Sequence, residues 1–202
     1  MMRMIDHEQG TPEWLQSRLG CPSGSGFANL ITATGKPSSS ADAYINQLVA
    51  ELLTGQPTEF KVNEWMQRGT ELEPTAREYF ELSSGKSVVE VGFCKHDTLE
   101  CGVSPDGLVG TNGGLEIKCP APHTHVAYLR DGGVPTKYKQ QVMGCLWITG
   151  REWWDFVSYH EQMPVLQVRV YRDEDYIAKL ATEVEKACEA IQYETERLRN
   201  MQ

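Results

Sequence analysis

Asp106, Glu116 and Lys118 are the residues of this chain best suited to chemistry, and one short stretch, SPDGLVGTNGGLEIKC from Ser104 to Cys119, holds all three. Leu115, Ile117 and Cys119 alternate with Glu116 and Lys118, so a strand puts the charged pair on one face and the apolar residues on the other. Gly110, Gly113 and Gly114 let the chain double back, which brings Asp106 on the first arm towards the face that carries Glu116. Two carboxylates can hold Mg2+ through oxygen while leaving positions for water, and such an ion generates hydroxide and stabilises charge on a phosphodiester. A lysine beside them can hold the attacking water or neutralise the developing phosphorane charge. The alternative is a surface hairpin in which Glu116 and Lys118 pair across solvent, worth ~0 to 1 kcal/mol.

Pro105-Asp106 followed by Glu116-Ile117-Lys118 resembles the PD-(D/E)XK nuclease signature, and the fuller SPDG...LEIKCP string is similar to the phage lambda exonuclease and YqaJ-type viral recombinase family. Arg18-Leu19-Gly20, GTELEPTAR from Gly69 to Arg77 and QVMGCLWIT from Gln141 to Thr149 follow the family order as well. The resemblance implies an α/β fold with a PD-(D/E)XK restriction-endonuclease-like core, a mixed central β-sheet flanked by helices. It implies a catalytic role for Lys118 with Glu73 and Gln141, and a metal held by Asp106, Glu116 and the backbone carbonyl of Ile117. Where many relatives carry a second glutamine this chain has Met143, so only Gln141 is carried over. The same resemblance makes Arg18, Ser25 and Ser104 the holders of a 5'-phosphate and Met66 an apolar wedge between the terminal bases.

The activity so implied is a Mg2+-dependent 5'-to-3' exonuclease, with two ions for which Mn2+ can substitute. It would digest one strand of linear double-stranded DNA and leave 3' single-stranded tails for phage-type homologous recombination. A homotrimeric ring and a single-strand annealing protein partner are implied too, in a phage or prophage protein of the bacterial cytoplasm. The alternatives are an endonuclease of the same fold acting on junctions or specific sites, and a non-catalytic DNA-binding assembly protein. Closed circular DNA separates the first two, and the intact Asp106, Glu116 and Lys118 argue against the last.

A chain of 202 residues suits a single domain, residues 1–202. Its net charge of -9 argues against a uniformly basic DNA-coating surface, so a nucleic-acid site must be local. The six cysteines, Cys21, Cys94, Cys101, Cys119, Cys145 and Cys188, contain no C-x-x-C pair and read as reduced, mostly buried thiols. They also lack the clustering that an iron-sulfur centre needs. No apolar run approaches the ~20 residues of a membrane span.

The remaining elements must position the site. Thr11 caps a helix opening at Pro12 that carries Trp14, Leu15 and Leu19, with Gly20 as its stop and Arg18 at its C-terminal end. Pro22 to Gly26 reads as a small-residue loop opening a second helix through Phe27, Leu30 and Ile31, whose free N–H groups suit a phosphate. The alternative there is a plain serine-capped turn, with Arg18 paired to Glu13. Tyr44, Leu48, Val49 and Leu52 mark a helix ending at Gly55, and Val62 to Leu82 mark another that Gly69 and Pro74 kink or divide. Glu73 lies at that break, where a solvated first-turn residue is the plainer reading and a water-mediated metal contact is what the resemblance implies. Val89, Val91 and Phe93 alternate as a strand, Leu99 to Val103 forms another, and the Asp106 hairpin continues the sheet. His123 and His125 have a zinc-like spacing without partner ligands. A helix over Pro135 to Thr149, strands over Trp153 to Tyr159 and Val165 to Tyr171, and a last helix buried through Tyr176, Leu180, Val184, Ala187 and Ile191 complete the chain.

Overall fold

In the computed structural model, which describes residues 2–58 and 64–201 but not the side chain of Met66, strand β1 (Arg3–Ile5) precedes helix α1 (Pro12–Ser17). Thr11 caps α1 by accepting a hydrogen bond from the Trp14 amide at 3.3 Å, and Arg18 is the C-cap. The segment after it departs from the expected α-helix: Gly24–Asn29 is a short 3-10 turn. Gly24 and Gly26 favour no α-helix, and a Cβ at Gly26 would collide with the Tyr44 hydroxyl, so tight packing replaces regular helix here. Helix α2 (Ala41–Thr54) ends as expected on Gly55, whose φ of 69° is the left-handed cap.

Helix α3 (Glu64–Ser84) runs on through Gly69 and Pro74, so the expected division is absent. Proline removes one helical hydrogen bond, but the apolar residues Ala76 and Phe80 bury against the sheet and hold the helix in place. Strands β2 (Val88–Val89), β3 (Phe93–Lys95), β4 (Gly102–Val103), β5 (Gly107–Val109) and β6 (Gly113–Lys118) follow. After them come α4 (Pro122–Asp131), a 3-10 turn at Thr136–Tyr138, α5 (Lys139–Thr149), β7 (Trp153–Ser158), β8 (Leu166–Tyr171) and α6 (Glu174–Arg199).

The main sheet has the order β2-β5-β6-β7-β8, mixed because β6 and β7 run parallel while its other pairs are antiparallel. A second sheet, β1-β3-β4, takes the strand that alternation alone joined to β2. Val88 and Val89 pair with β5, whereas Phe93 opens β3; Gly92 lies at the switch, where a Cβ would meet the backbone of Ile5 and His7. Strand β6 is covered on both faces. Leu115, Ile117 and Cys119 pack with Ala76 and Phe80 of α3 and with Val157 of β7. The α5 side of the sheet, with Trp154 and Phe156 of β7, joins Val142, Leu146, Leu180 and Val184 in the larger core. All six cysteines are free thiols, and among the described residues no helix is long and apolar enough to cross a membrane.

Candidate active site

The hairpin positions its carboxylates through the end of a ladder. Pairing of β5 with β6 begins at Gly107 opposite Leu115, so the Ile117 amide lies beyond the last strand partner on that edge. Asp106 replaces the missing partner: its Oδ2 accepts a hydrogen bond from Ile117 N at 2.6 Å. A strand residue's N–H and C=O face the same side, so the Ile117 carbonyl also opens on the Asp106 edge. Glu116 points to the other face of β6, fully buried, which removes the solvated surface hairpin as a reading. Its Oε1 accepts from Gln141 Nε2 of α5 at 2.6 Å and pairs with Lys118 Nζ, while its Oε2 is buried with no hydrogen-bond partner. Glu73 approaches from α3, its Oε1 accepting from Arg77 Nη2 at 2.7 Å; Arg77 Nη1 lies 2.8 Å from Glu90.

Crowding of acids governs their protonation. Burial and then Asp106 push the Glu116 carboxyl up to about 8, against the pull of Lys118. Glu73 is raised to about 7 by burial and Asp106, with Arg77 and Lys118 opposing. Burial raises Asp106 too, although Lys118, the Ile117 amide and Arg77 favour its charged form. For Lys118, burial works against the charge, but Glu116 and Asp106 outweigh it and hold the ammonium above the ordinary lysine range. Carboxylates crowded around a protonated lysine repel one another, and a bound cation would offset that repulsion.

The residues fit such a cation. Glu116 Oε2 is a buried, unsatisfied acceptor, and a hard ion such as Mg2+ takes carboxylate and carbonyl oxygens while keeping several waters. Among the described residues no three His, Cys, Asp or Glu side chains form a ligand cluster by themselves, so a metal here would rely on Asp106, Glu116, the Ile117 carbonyl and water. The His123 and His125 pair offers no competing zinc site. His125 is fully buried, with Nδ1 2.7 Å from Ser158 Oγ and Nε2 2.9 Å from the Pro164 carbonyl, and it stacks on His160.

Beside the carboxylates, a pocket of about 160 Å3 brings Arg18, Ser25 and Ser104 together with Asp106 and Gln141. Arg18 does not pair with Glu13. Its Nη2 donates to Ser23 Oγ at 2.8 Å and its guanidinium lies over the Trp14 ring at 4.2 Å. Trp14 Nε1 in turn donates to Ser104 Oγ at 3.2 Å. Burial lowers the Arg18 pKa, with Tyr44, Cys21 and Glu51 acting the other way. Met66 falls in α3, but its side chain lies outside the described residues.

Trp14 and Arg77 also border the site, one against Arg18 and the other against Glu73. Both stand four residues from a predicted site residue, Arg18 and Glu73, and i, i+4 spacing on a helix was the available signal. Ser23 had no such signal, because it meets Arg18 only through the turn at Cys21 and Pro22.

Fold and site together define the class: a mixed α/β core whose hairpin carries the PD-(D/E)XK carboxylates and lysine. The sequence pattern of the YqaJ-like viral recombinase domain matches residues 13–152, and the chain belongs to that family. An alkaline exonuclease (LHK-Exo) from Laribacter hongkongensis is 38% identical and superimposes with a TM-score of 0.87 over 95% of this chain and 97% of that one. The same relative in complex with dAMP gives 38% identity and a TM-score of 0.85 over the same shares. A phage related exonuclease from Haemophilus somnus 129PT shares the fold at 18% identity, with a TM-score of 0.69 over 90% of this chain and 96% of that one. Comparison with curated protein sequences gives no match.

Proposed function

We propose that this chain is a metal-dependent exodeoxyribonuclease that hydrolyses one strand of linear duplex DNA from its 5' end, releasing mononucleotides and leaving 3' single-stranded tails for recombination. The observation that carries the reading is the continuity between the pocket of Arg18, Ser25 and Ser104 and the carboxylate hairpin at Asp106. A terminal phosphate anchored by those residues sets the next phosphodiester beside Asp106 and Glu116, so the anchor measures off one nucleotide.

Asp106, Glu116 and the Ile117 carbonyl would hold Mg2+, as two ions with Mn2+ as a substitute, and Glu73 would reach it through water. When bound, the metal lowers the pKa of water and offsets charge on the phosphate. Gln141 occupies Glu116 Oε1 and leaves Oε2 for the cation. Lys118, kept protonated by Glu116 and Asp106, donates to the attacking water or to a phosphate oxygen. Two relatives carry the name exonuclease, and one was crystallised with dAMP, the kind of mononucleotide this reaction releases.

A homotrimeric ring and a single-strand annealing partner, in a bacterial cytoplasm, belong to the same reading through the family resemblance. The net charge of -9 suits a ring that is basic only on its inner wall, and free thiols suit a reducing compartment. The test is digestion of linear duplex labelled separately at each end, with Mg2+ or EDTA, beside closed circular DNA. Release of the 5' label as a mononucleotide, no cutting in EDTA and an intact circle are expected. Prior loss of the 3' label, or nicking of the circle, refutes the reading.

A further inference from the structure

Three cysteines far apart in the sequence meet at one place. Cys21 follows helix α1, Cys101 stands just before β4, and Cys188 lies on α6. The Gly102 amide donates to the Pro22 carbonyl at 3.1 Å and Ser23 bridges Gly102 in parallel, so the chain at Cys21 runs beside the chain at Cys101. Helix α6 closes over both. Its Ala187 and Ile191 belong to the same core as Cys101, and Cys188 packs against that core. Cys188 and Cys21 line a cavity of about 310 Å3 that shares no residue with the pocket of Arg18, Ser25 and Ser104.

The three thiols are not equivalent. Cys101 is fully buried and Cys21 is 6% exposed, whereas Cys188 is half-buried at the cavity wall. The Cys101 and Cys188 thiols share a hydrogen bond; that contact, then burial and the nearby Cys188, Cys21 and Glu100, push the Cys101 thiol far above its ordinary range. Burial, opposed by Lys95, raises Cys21 to about 11. Thiolate is the form that attacks an oxidant, so Cys101 and Cys21 are held inert and Cys188 is the one that meets solvent. The cavity also selects what reaches it. Leu19, Leu52, Leu99 and Ile191 give it an apolar wall, and its acidic residues Glu100, Glu189 and Glu196 outnumber the single base, Arg199, among the described residues. An anionic oxidant such as glutathione disulfide is repelled there, while a small uncharged hydroperoxide is not.

We propose that Cys188 and Cys101 form a peroxide-oxidisable dithiol, in which Cys188 takes up the oxidant and Cys101 resolves it as a disulfide. In the first step the Cys188 sulfur attacks one oxygen of hydrogen peroxide, the O–O bond breaks, and the departing hydroxide takes the thiol proton to leave as water. Cys188 is then a sulfenic acid. In the second step the Cys101 sulfur displaces that hydroxyl: the S–S bond forms, the S–O bond breaks, and the Cys101 proton leaves with the hydroxyl as a second water. Two thiols have given two electrons to one peroxide. The bridge joins α6 to the residue that opens β4 and stops Cys188 short of the sulfinic acid, from which thiol reductants do not recover it. The proposal stands apart from the nuclease reading, since the cavity borders none of the carboxylates.

Peptide mass spectrometry tests it. The whole chain, fully reduced, is treated with hydrogen peroxide, its remaining thiols are alkylated under denaturing conditions, and the digest is mapped without reductant. The expected product is a peptide pair joined through Cys101 and Cys188, lighter by two hydrogens than the two free peptides and separated again by dithiothreitol. In Cys101→Ser, the same treatment should carry Cys188 on to the sulfinic and sulfonic acids. In Cys188→Ser, Cys101 should be recovered alkylated and unoxidised. A bridge from Cys188 to Cys21, an unoxidised Cys188, or equal over-oxidation of Cys188 in the parent and in Cys101→Ser overturns the proposal. The parent's own map decides the pairing even where a variant fails to fold.

Discussion

Arg18→Ala should abolish a preference of the parent protein for 5'-phosphorylated over 5'-hydroxyl duplex ends. The Arg18 guanidinium lies over Trp14 at 4.2 Å, donates to Ser23 Oγ at 2.8 Å and has no carboxylate at ion-pair distance among the described residues. Burial has already desolvated the charge, so a phosphate meets a cation whose hydration is partly removed. Hydrogen bonds to charged groups contribute roughly 1.5–3 kcal/mol. At about 1.36 kcal/mol per factor of ten, the terminal phosphate should raise kcat/KM roughly 10- to 150-fold. Ser25→Ala removes a neutral donor and should cost about 1 kcal/mol, roughly fivefold. Arg18→Lys keeps the charge but loses the planar fork, so it should recover only part of the preference. The assay is kcat/KM on matched linear duplexes that differ only in the 5' group, with melting temperature measured alongside. Equal parental rates on the two ends would refute the reasoning. Equal losses on both ends in Arg18→Ala, with a lowered melting temperature, would make Arg18 a packing residue.

At the reacting centre, Asp106→Ala and Glu116→Ala should abolish both cleavage and Mn2+ binding measured by electron paramagnetic resonance. Lys118→Ala should keep Mn2+ bound while cleavage falls severely, and parental cleavage by that variant would contradict the role given to Lys118. Without metal, Glu116 titrates in the folded protein near 8 against an ordinary 4.5, so the folded state holds an extra proton between those values. Stability should therefore fall as pH rises from about 5 to 8, a decline visible by chemical denaturation in EDTA and flattened in Glu116→Gln. Met66→Ala should slow digestion of duplex more than of single strands, because apolar insertion offsets part of the unstacking cost. Equal loss on both substrates, with a lowered melting temperature, would assign Met66 to helix packing.

Local rules carried much of the fold and the face on which Glu116 and Lys118 stand. Period two in Leu115 to Cys119 assigned Glu116 and Lys118 to one face of β6, and the structure keeps that division. Thr11, Gly55 and the apolar stripe of α6 marked their helices correctly, since caps and helical spacing depend on neighbours within one or two turns. Where the outcome depended on distant packing, the local signal failed. Nothing in the alternation of Val89, Val91 and Phe93 shows that the chain changes sheets at Gly92, because each strand's partner comes from elsewhere in the sequence. The glycines before Phe27 permitted several backbone states, and contact with Tyr44 selected the 3-10 turn. Helix α4 lies between two local signals, Pro122 at its start and Gly132 at its end, but carries too weak an apolar stripe to stand out by periodicity.

The sequence by itself determined the chemistry on offer: two carboxylates and a lysine at strand spacing, with an arginine and two serines far apart along the chain at Arg18, Ser25 and Ser104. It could not tell a solvated Glu116 from a buried one, because alternation assigns a face and not what covers it. Tertiary structure decided that α5 covers this face, so that Gln141 and Lys118 take one Glu116 oxygen and leave the other unsatisfied. It also decided that Arg18, Ser25 and Ser104, from a helix end, a 3-10 turn and the link between two strands, share one pocket with Asp106. Such convergence comes from how α1, the turn and β4 pack together, and no spacing along the chain encodes it.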